Sequence, residues 1–431
     1  MEQPAETLQA ALRSETGIEA RLATDTDAVA GVTPRVVCEP DSEDAVASVL
    51  AYAEREGLAV CVRGGGTQLS MGFPPTRLDI LLSTARLSRV LEHAPHDLTV
   101  TVEAGLTLQA LQRTLGSARQ WLALDPPVDE GATIGGIIAT NASGPRRLRF
   151  GGVRDQIIGV RVALPDGTLA QGGGKVVKNV AGYDLPRLYT GSLGTLGVIV
   201  SATFRLYPLP EFVETVVASS PALRPLIELA SHIRHSQLVP VALDIMQMAP
   251  DEEFTLLARF ESGVREAVQD QAATVERIAS EYVERSQVRR EEGNGSATWA
   301  AAAALLHAPG KPPATIVKAS MLLSGIGTWL DATEEIAKEL SLSLTWRAHV
   351  GHGLIYVRVP GTVRQVAAFV ERGRAAAARE DGSLVVVEAV SGLASEVDLW
   401  GPTQALDLMR RVKQRFDPQS VLNPGRFIGG I

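Results

Sequence analysis

The sequence predicts an α+β protein in two parts: a mixed, turn-rich first half, then an α+β half built on an antiparallel sheet. Three observations predict it. Glycine is crowded, with 15 of the 40 glycines in residues 131–200. Charge is segregated, because residues 134–210 hold nine Lys or Arg against three Asp (+6) inside a chain of net charge −8. The pattern changes after Pro210, where strands begin to alternate with amphipathic helices. The expected division is a first domain over 1–211, a second over 212–400, and a segment over 401–431 that returns to the first.

The elements follow in order. Residues 42–56 (SEDAVASVLAYAERE) read as a helix with Ser42 as N-cap and Gly57 as its stop. LAVCVRGGG is a short strand that halts at three glycines. DILLS (79–83) and LTVTVEAG (98–105) are further strands, and LTLQALQRTLG (106–116) is an amphipathic helix closed by Gly116 as C-cap. Residues 153–170 read as a hairpin turning at Pro-Asp-Gly, and 196–210 as a long strand ended by prolines. In the second half, strands at FVETVVAS, VPVALDIMQ, EFTLLARFE, TIVKASMLL, LTWRAHV, LIYVRVP and SLVVVEAV interleave with helices at 222–234, 263–285, 324–340 and 361–380. The tail 417–427 (DPQSVLNPGRF) is a Pro- and Asn-punctuated loop.

Composition excludes several functions. An acidic chain with 20 aromatic residues in 431 is poorly suited to nucleic acid. Cys38 and Cys61 sit in apolar runs, and two cysteines supply neither a disulfide framework nor an iron–sulfur cluster. No basic start precedes an apolar core at the N-terminus, and no apolar run approaches a transmembrane span, so a cytoplasmic, soluble protein is expected. The basic, glycine-rich module suits an anionic ligand such as a diphosphate.

Three segments carry chemistry. RGGGTQLS (63–70) follows a strand, and its glycines let successive backbone N–H groups converge as a nest for phosphate oxygens, with Arg63, Thr67 and Ser70 beside them. It is neither a Rossmann fingerprint, which needs glycine where Leu69 stands, nor a P-loop. GATIGGIIATNASG (131–144) has paired small residues that would let backbone lie flat on a planar ligand. NVAGYDLPRLYTGSLGTLGVIVSATFRL (179–206) reads as a short helix, a glycine turn and a strand.

In this order and spacing the three segments closely resemble the FAD-binding domain of the vanillyl-alcohol oxidase / p-cresol methylhydroxylase type. The resemblance covers about residues 30–211, plus FDPQSVLNPGRF at the tail. It implies a two-part FAD-binding domain, an α+β cap domain and FAD as cofactor. The implied contacts are Arg63, Gly64, Gly65, Gly66, Thr67, Gln68, Leu69, Ser70, Pro126, Thr133, Gly135, Gly136, Ala139, Ser143, Gly144, Gly197, Ile199 and Asn423. Covalent members of the family usually attach flavin through a histidine near the pyrophosphate loop. Residues 63–70 have none and 97–231 contain none, so noncovalent FAD is expected. Within the family, SGPRRLRFGGVRDQIIGVR and GGKVVKNVAGYDLPRLYTGSLGTLGV look most like the FAD-binding E-type subunit of glycolate oxidase (glycolate dehydrogenase) complexes. That implies a second, D-like flavoprotein and an iron–sulfur subunit as partners, and a small 2-hydroxy acid as the substrate of the complex.

One departure stands out. Family 2-hydroxyacid dehydrogenases often hold a divalent metal on His-x-Gly-Asp-Gly-Asn-x-His and a later Glu-His-Gly. Here the matching stretch is HVGHGLIY (349–356): His349 is kept, His352 replaces Asp, Leu354 replaces Asn and Tyr356 replaces the second His. Glu388 remains without its histidine. No metal is expected. A metal-free route needs a base for the hydroxyl proton and a cation for the carboxylate. His349 and Arg358 are the candidates, with Arg347 beside them. The two arginines otherwise read as a solvated strand face, and the histidines as hydrogen-bonded residues near a strand end.

Overall fold

The structure, a computed structural model, describes residues 4–127, 130–175, 182–249, 251–293, 297–306 and 313–431. Part of the 173–184 glycine-lysine segment, residues 176–181, lies outside them. The chain forms two compact units. The first is Met1–Ser143, Gly152–Pro208 and Pro402–Ile431; the second is Gly144–Gly151 and Leu209–Gly401. The segment Gly144–Gly151 thus leaves the first unit and counts with the second.

The first unit is built on two main sheets. A four-stranded sheet runs Ala20–Leu22, Val36–Cys38, Ile80–Ser83, Val60–Arg63, with the first pair antiparallel and the others parallel. The parallel strands are buried along nearly their whole length, which is why they read as continuous apolar runs. Helix Glu43–Arg55 crosses between them, and the Ser42 hydroxyl caps it by accepting from the Ala45 N–H. Cys38 and Cys61 are fully buried in apolar clusters, and burial pushes their thiols up to about 12 and about 11.

A five-stranded antiparallel sheet runs Val90–Ala94, Thr99–Glu103, Val198–Arg205, Ile157–Ala163, Leu169–Gly173. The Pro-Asp-Gly turn joins its last two strands, with Gly167 at φ +82°. The helical turn Val153–Gln156 takes the residues expected to begin that hairpin. The strand expected over 196–210 is divided: Val198–Arg205 belongs to this sheet, and Tyr207–Pro208 pairs with Gln120–Trp121. Helix Leu108–Gly116 is capped by Thr107, and Gly116 is its last residue rather than its C-cap; Ser117 takes that place and stays right-handed.

The second unit is one eight-stranded antiparallel sheet in the order Val288–Glu292, Phe212–Ser220, Phe254–Ser262, Ala242–Gln247, Thr345–His349, Leu354–Val359, Thr315–Ser320, Ser383–Glu388. Helices Leu223–His235 and Arg265–Ala279 pack on Phe212–Ser220 and Phe254–Ser262, and Val363–Arg379 packs on Thr315–Ser320 and Ser383–Glu388. Side chains alternate between faces along a strand. The ladder register therefore aligns Asp244, Arg347, His349, Tyr356 and Lys318 on one face, while Leu243, Ile245, Ala348, Ile355 and Val357 point to the other. Helix Ala297–Ala304 covers part of the polar face, where Trp299 packs with Met246 and Leu257 and donates to the Thr215 hydroxyl at 2.8 Å.

Candidate functional site

In the first unit the strand Val60–Arg63 opens into the glycine loop, and the loop forms one wall of a partly open pocket. Of the residues expected at the cofactor, Gly64, Gly65, Gly66, Thr67, Gln68, Leu69, Pro126, Thr133, Gly136, Ala139 and Asn423 line it. Among the described residues, the backbone N–H groups of Gly65, Gly66, Thr67 and Gln68 make no hydrogen bond. Four unpaired donors in successive residues fit a diphosphate.

The glycines serve two purposes. Gly66 has φ +78°, and a Cβ there would make only ordinary contacts with the Leu69 and Arg63 side chains, so its part is to permit the turn. At Gly64 a Cβ would lie 2.1 Å from the Thr133 hydroxyl oxygen, and at Gly65 1.7 Å from the Gly131 carbonyl oxygen. These two let the loop press against residues 131–133. The segment expected to lie flat instead forms a short helix, Ile134–Thr140, with Thr133 capping the Gly136 N–H. Gly135 packs on Ala104, where a Cβ would meet the alanine Cβ at 2.9 Å.

Several expected residues stand elsewhere. Arg63 does not line the pocket; its guanidinium pairs with Asp27 at 3.0 Å. Asp27, also gripped by Arg21, is held well below the ordinary carboxylate range by those hydrogen bonds against the opposing effect of burial. Ser70, Gly135 and Ser143 are off the lining, Gly144 belongs to the second unit, Gly197 packs on Tyr189, and Ile199 is core. The sequence reading missed Val62, Ala132, Ile137, Thr140, Ala142, Leu193 and Arg426, which complete the lining. Arg426 is the only charged residue on the lining among the described residues. Its guanidinium donates to the Leu69 and Met71 carbonyls at 2.8 and 2.7 Å.

In the second unit the polar sheet face gathers a separate group. His349 Nδ1 lies 2.9 Å from Asp244, and Arg347 donates to the other oxygen of the same carboxylate at 2.7 Å. Asp244 is fully buried. Burial alone would raise its pKa, but the charges and hydrogen bonds of His349 and Arg347 outweigh it and bring the carboxyl down to about 2. Arg347 also donates to the Ala302 carbonyl and stacks on Trp299, 5.1 Å from the ring centre. Neither Arg347 nor Arg358 is solvated, contrary to the reading of a surface face; they are 8% and 7% exposed. Arg358 shares the face with His349 but stands four residues along from His349's ladder partner Leu354, about 13 Å away. The two do not form one site.

Lys318 was missed. It stands opposite Tyr356 in the ladder, is half-buried, and has no hydrogen bond or ion pair within the described residues. Burial, and then the nearby Arg147, lower its pKa. The available signal was a lysine placed mid-strand in TIVKAS. His352 lies against His349, ring centres 5.0 Å apart, and burial followed by the charge of His349 brings it down to about 3. The Gly144 backbone favours the charged ring only weakly and makes no hydrogen bond with it. The donor set does not fit the divalent metal that the resemblance would bring: Leu354 and Tyr356 hold two ligand places, and no cluster of three His, Cys, Asp or Glu occurs among the described residues.

Comparison with known proteins gives two family matches, an FAD binding domain over residues 34–173 and a C-terminal domain of FAD linked oxidases over residues 234–427. The chain is 27% identical over 416 residues to the glycolate oxidase subunit GlcD of Bacillus subtilis, covering 91% of this chain and 88% of that one. It is 28% identical over 420 residues to a D-lactate dehydrogenase of Archaeoglobus fulgidus, covering 91% of each. A D-2-hydroxyglutarate dehydrogenase of Xanthomonas citri pv. viticola is 28% identical over 425 residues, 91% of this chain and 89% of that one. Among solved structures, an alkyldihydroxyacetonephosphate synthase superposes with TM-score 0.71 at 17% identity, over 92% of this chain and 78% of that one, and shares the fold. The chain belongs to the FAD-linked oxidase family: it is an FAD-dependent oxidoreductase.

Proposed function

We propose that this FAD-linked oxidoreductase is the flavoprotein subunit of a glycolate-oxidase-type complex, and that its second unit takes a small 2-hydroxy acid. FAD is held noncovalently by the loop Gly64–Leu69, by Thr133, Gly136 and Ala139, and by Asn423. When bound it supplies a two-electron acceptor.

The observation that carries the reading is Lys318, a half-buried lysine on the polar sheet face with no anion beside it among the described residues. A partly desolvated ammonium is stabilised by a counterion, and a substrate carboxylate provides one. His349 suits the other requirement. Asp244 fixes its Nδ1, which leaves Nε2 as the atom that accepts the hydroxyl proton. Support also comes from the relatives, which are named for oxidising glycolate, D-lactate and D-2-hydroxyglutarate.

The partners are a D-like flavoprotein and an iron–sulfur subunit. Two buried cysteines leave cluster ligation to another chain. No helix among the described residues is long and apolar enough to cross a membrane. We place the complex in the cytoplasm, meeting its membrane acceptor through partners. Residues 1–211 with 401–431 serve as the cofactor domain and 212–400 as the substrate domain.

Anaerobic addition of glycolate or D-lactate to the purified chain should bleach the visible flavin band. Lys318→Met should raise the acid concentration needed by ~100-fold, the scale of losing one charged partner. No bleaching by any small 2-hydroxy acid leaves the chain as a relay or scaffold in the complex. Bleaching that is indifferent to Lys318→Met removes the carboxylate assignment.

A further inference from the structure

The buried ion pair Lys413–Asp417 lies off the pocket lining, and the chemistry above makes no use of it. Lys413 lies in the last turn of helix Leu406–Phe416 inside the first unit and makes three bonds: to Asp417 at 2.5 Å, to the Thr195 carbonyl at 2.9 Å and to the Leu422 carbonyl at 2.9 Å. Burial lowers the lysine pKa, and Asp417 opposes that. Asp417 is 1% exposed and accepts from the Val421 and Leu422 N–H groups at 2.9 and 2.8 Å. The pair therefore fixes the backbone immediately before Asn423.

From that point the tail reaches three pieces of the pocket wall. The Asn423 N–H donates to the Val60 carbonyl, at the strand that leads into the glycine loop. The Asn423 amide donates to the Leu193 and Gly194 carbonyls at 3.0 and 3.2 Å, in the second glycine turn. Arg426 holds the far end of the first loop at Leu69 and Met71, and its own carbonyl accepts from the Phe73 N–H. The two glycine-rich loops are bound together by the tail.

We infer that Lys413 and Asp417 are positioning residues for the cofactor: they lock the tail as a clasp across the two loops, so that FAD binding and tail docking are one coupled event. Coupling of this kind is reciprocal. A docked tail shapes the cradle for FAD, and FAD in the cradle holds the tail docked. The inference rests on reading Gly64–Ser70 as the diphosphate cradle.

The test uses the full chain, stripped of flavin and reloaded with FAD. Affinity is read by flavin fluorescence, and amide hydrogen exchange is followed for residues 417–427 and 191–197. In the parent protein FAD should slow exchange of the Val421 and Leu422 amides. Lys413→Met and the isosteric Asp417→Asn should each weaken FAD binding at least tenfold, and added FAD should no longer protect those amides. A purely structural pair would lower the unfolding temperature yet leave the affinity of the folded protein and the FAD protection intact, which overturns the inference. Failure of both variants to fold also overturns it, by making the pair a requirement of the fold. Gly65→Ala serves as the control on the cradle. If it binds FAD like the parent, the cradle reading fails; if it loses FAD while the tail variants keep it, the clasp alone fails.

Discussion

Acid should destabilise the second unit through His352, and the slope can be worked from its surroundings. The ring is packed against His349 behind Arg147 and finds no hydrogen-bond acceptor among the described residues. Unfolded, it titrates near 6.5; folded, it does so at about 3. Between those values the folded state binds fewer protons than the unfolded one. Its contribution is therefore intact above pH 6.5 and is lost as the pH falls toward 3, at up to about 1.4 kcal/mol per pH unit. At pH 5 the loss reaches about 2 kcal/mol. Replacing the ring by a group that does not titrate, His352→Asn, should remove that slope. Chemical denaturation between pH 5 and 7.5, followed by tryptophan fluorescence, is a suitable assay. Trp299, Trp329, Trp346 and Trp400 all lie in the second unit and only Trp121 in the first. Asp27 and Asp244, both held below the ordinary carboxylate value, lose their contributions only below about pH 4, outside this window. Equal pH slopes for the two proteins would refute the reasoning.

Two further outcomes follow from the same geometry. Gly65→Ala puts a Cβ 1.7 Å from the Gly131 carbonyl, so the two loops must part; FAD affinity should fall at least 100-fold, whereas Gly66→Ala costs only ~1 kcal/mol of left-handed strain, stays clear of backbone and should keep binding within tenfold. Flavin fluorescence titration decides, and equal affinities for the two variants would count against the packing role of Gly65. Asp244→Asn leaves Arg347 buried without its anion and should lower the stability of the second unit by ~3 kcal/mol in denaturant unfolding; an unchanged midpoint would mean that the pair contributes nothing.

Local signals carried much of this. The Ser42 cap, the glycine loop after a strand and the Asn-Pro-Gly tail are short-range patterns, and each sits where its chemistry demands. What was missed depends on partners distant in sequence. Asp244 is one acid in the apolar run VPVALDIMQ, and only the ladder brings it to His349, 105 residues on. Arg426 holds Leu69 from 357 residues away. Lys318 could be picked out as odd, since desolvating an ammonium on a strand is costly, but its lack of an anion among the described residues is a property of the folded sheet. The chain passes from the first unit to the second at Pro208 and Leu209, beside the change of sequence pattern. The excursion of Gly144–Gly151 was not legible, because what ties Arg146 to the second unit is Glu261, 115 residues along.

The basic excess of residues 134–210 deserves a different explanation from the one that the sequence suggests. It looked like counter-charge for an anionic cofactor. Its members are mostly engaged elsewhere: Arg146 with Glu261, Arg161 with Glu43, Arg187 with Asp184, Lys175 with Glu92, and Arg154 with the Thr190 carbonyl. Arg63, within the loop itself, is occupied by Asp27. Among the described residues the pocket lining retains one cation, Arg426, and that side chain is turned to backbone carbonyls. On the proposed reading the diphosphate would fall to the peptide N–H groups of Gly65 to Gln68, whose aim is set by how closely the loop can approach residues 131–133. On that reading glycine at 64 and 65, which lets the loop approach residues 131–133, would matter more to cofactor binding than the segment's net charge.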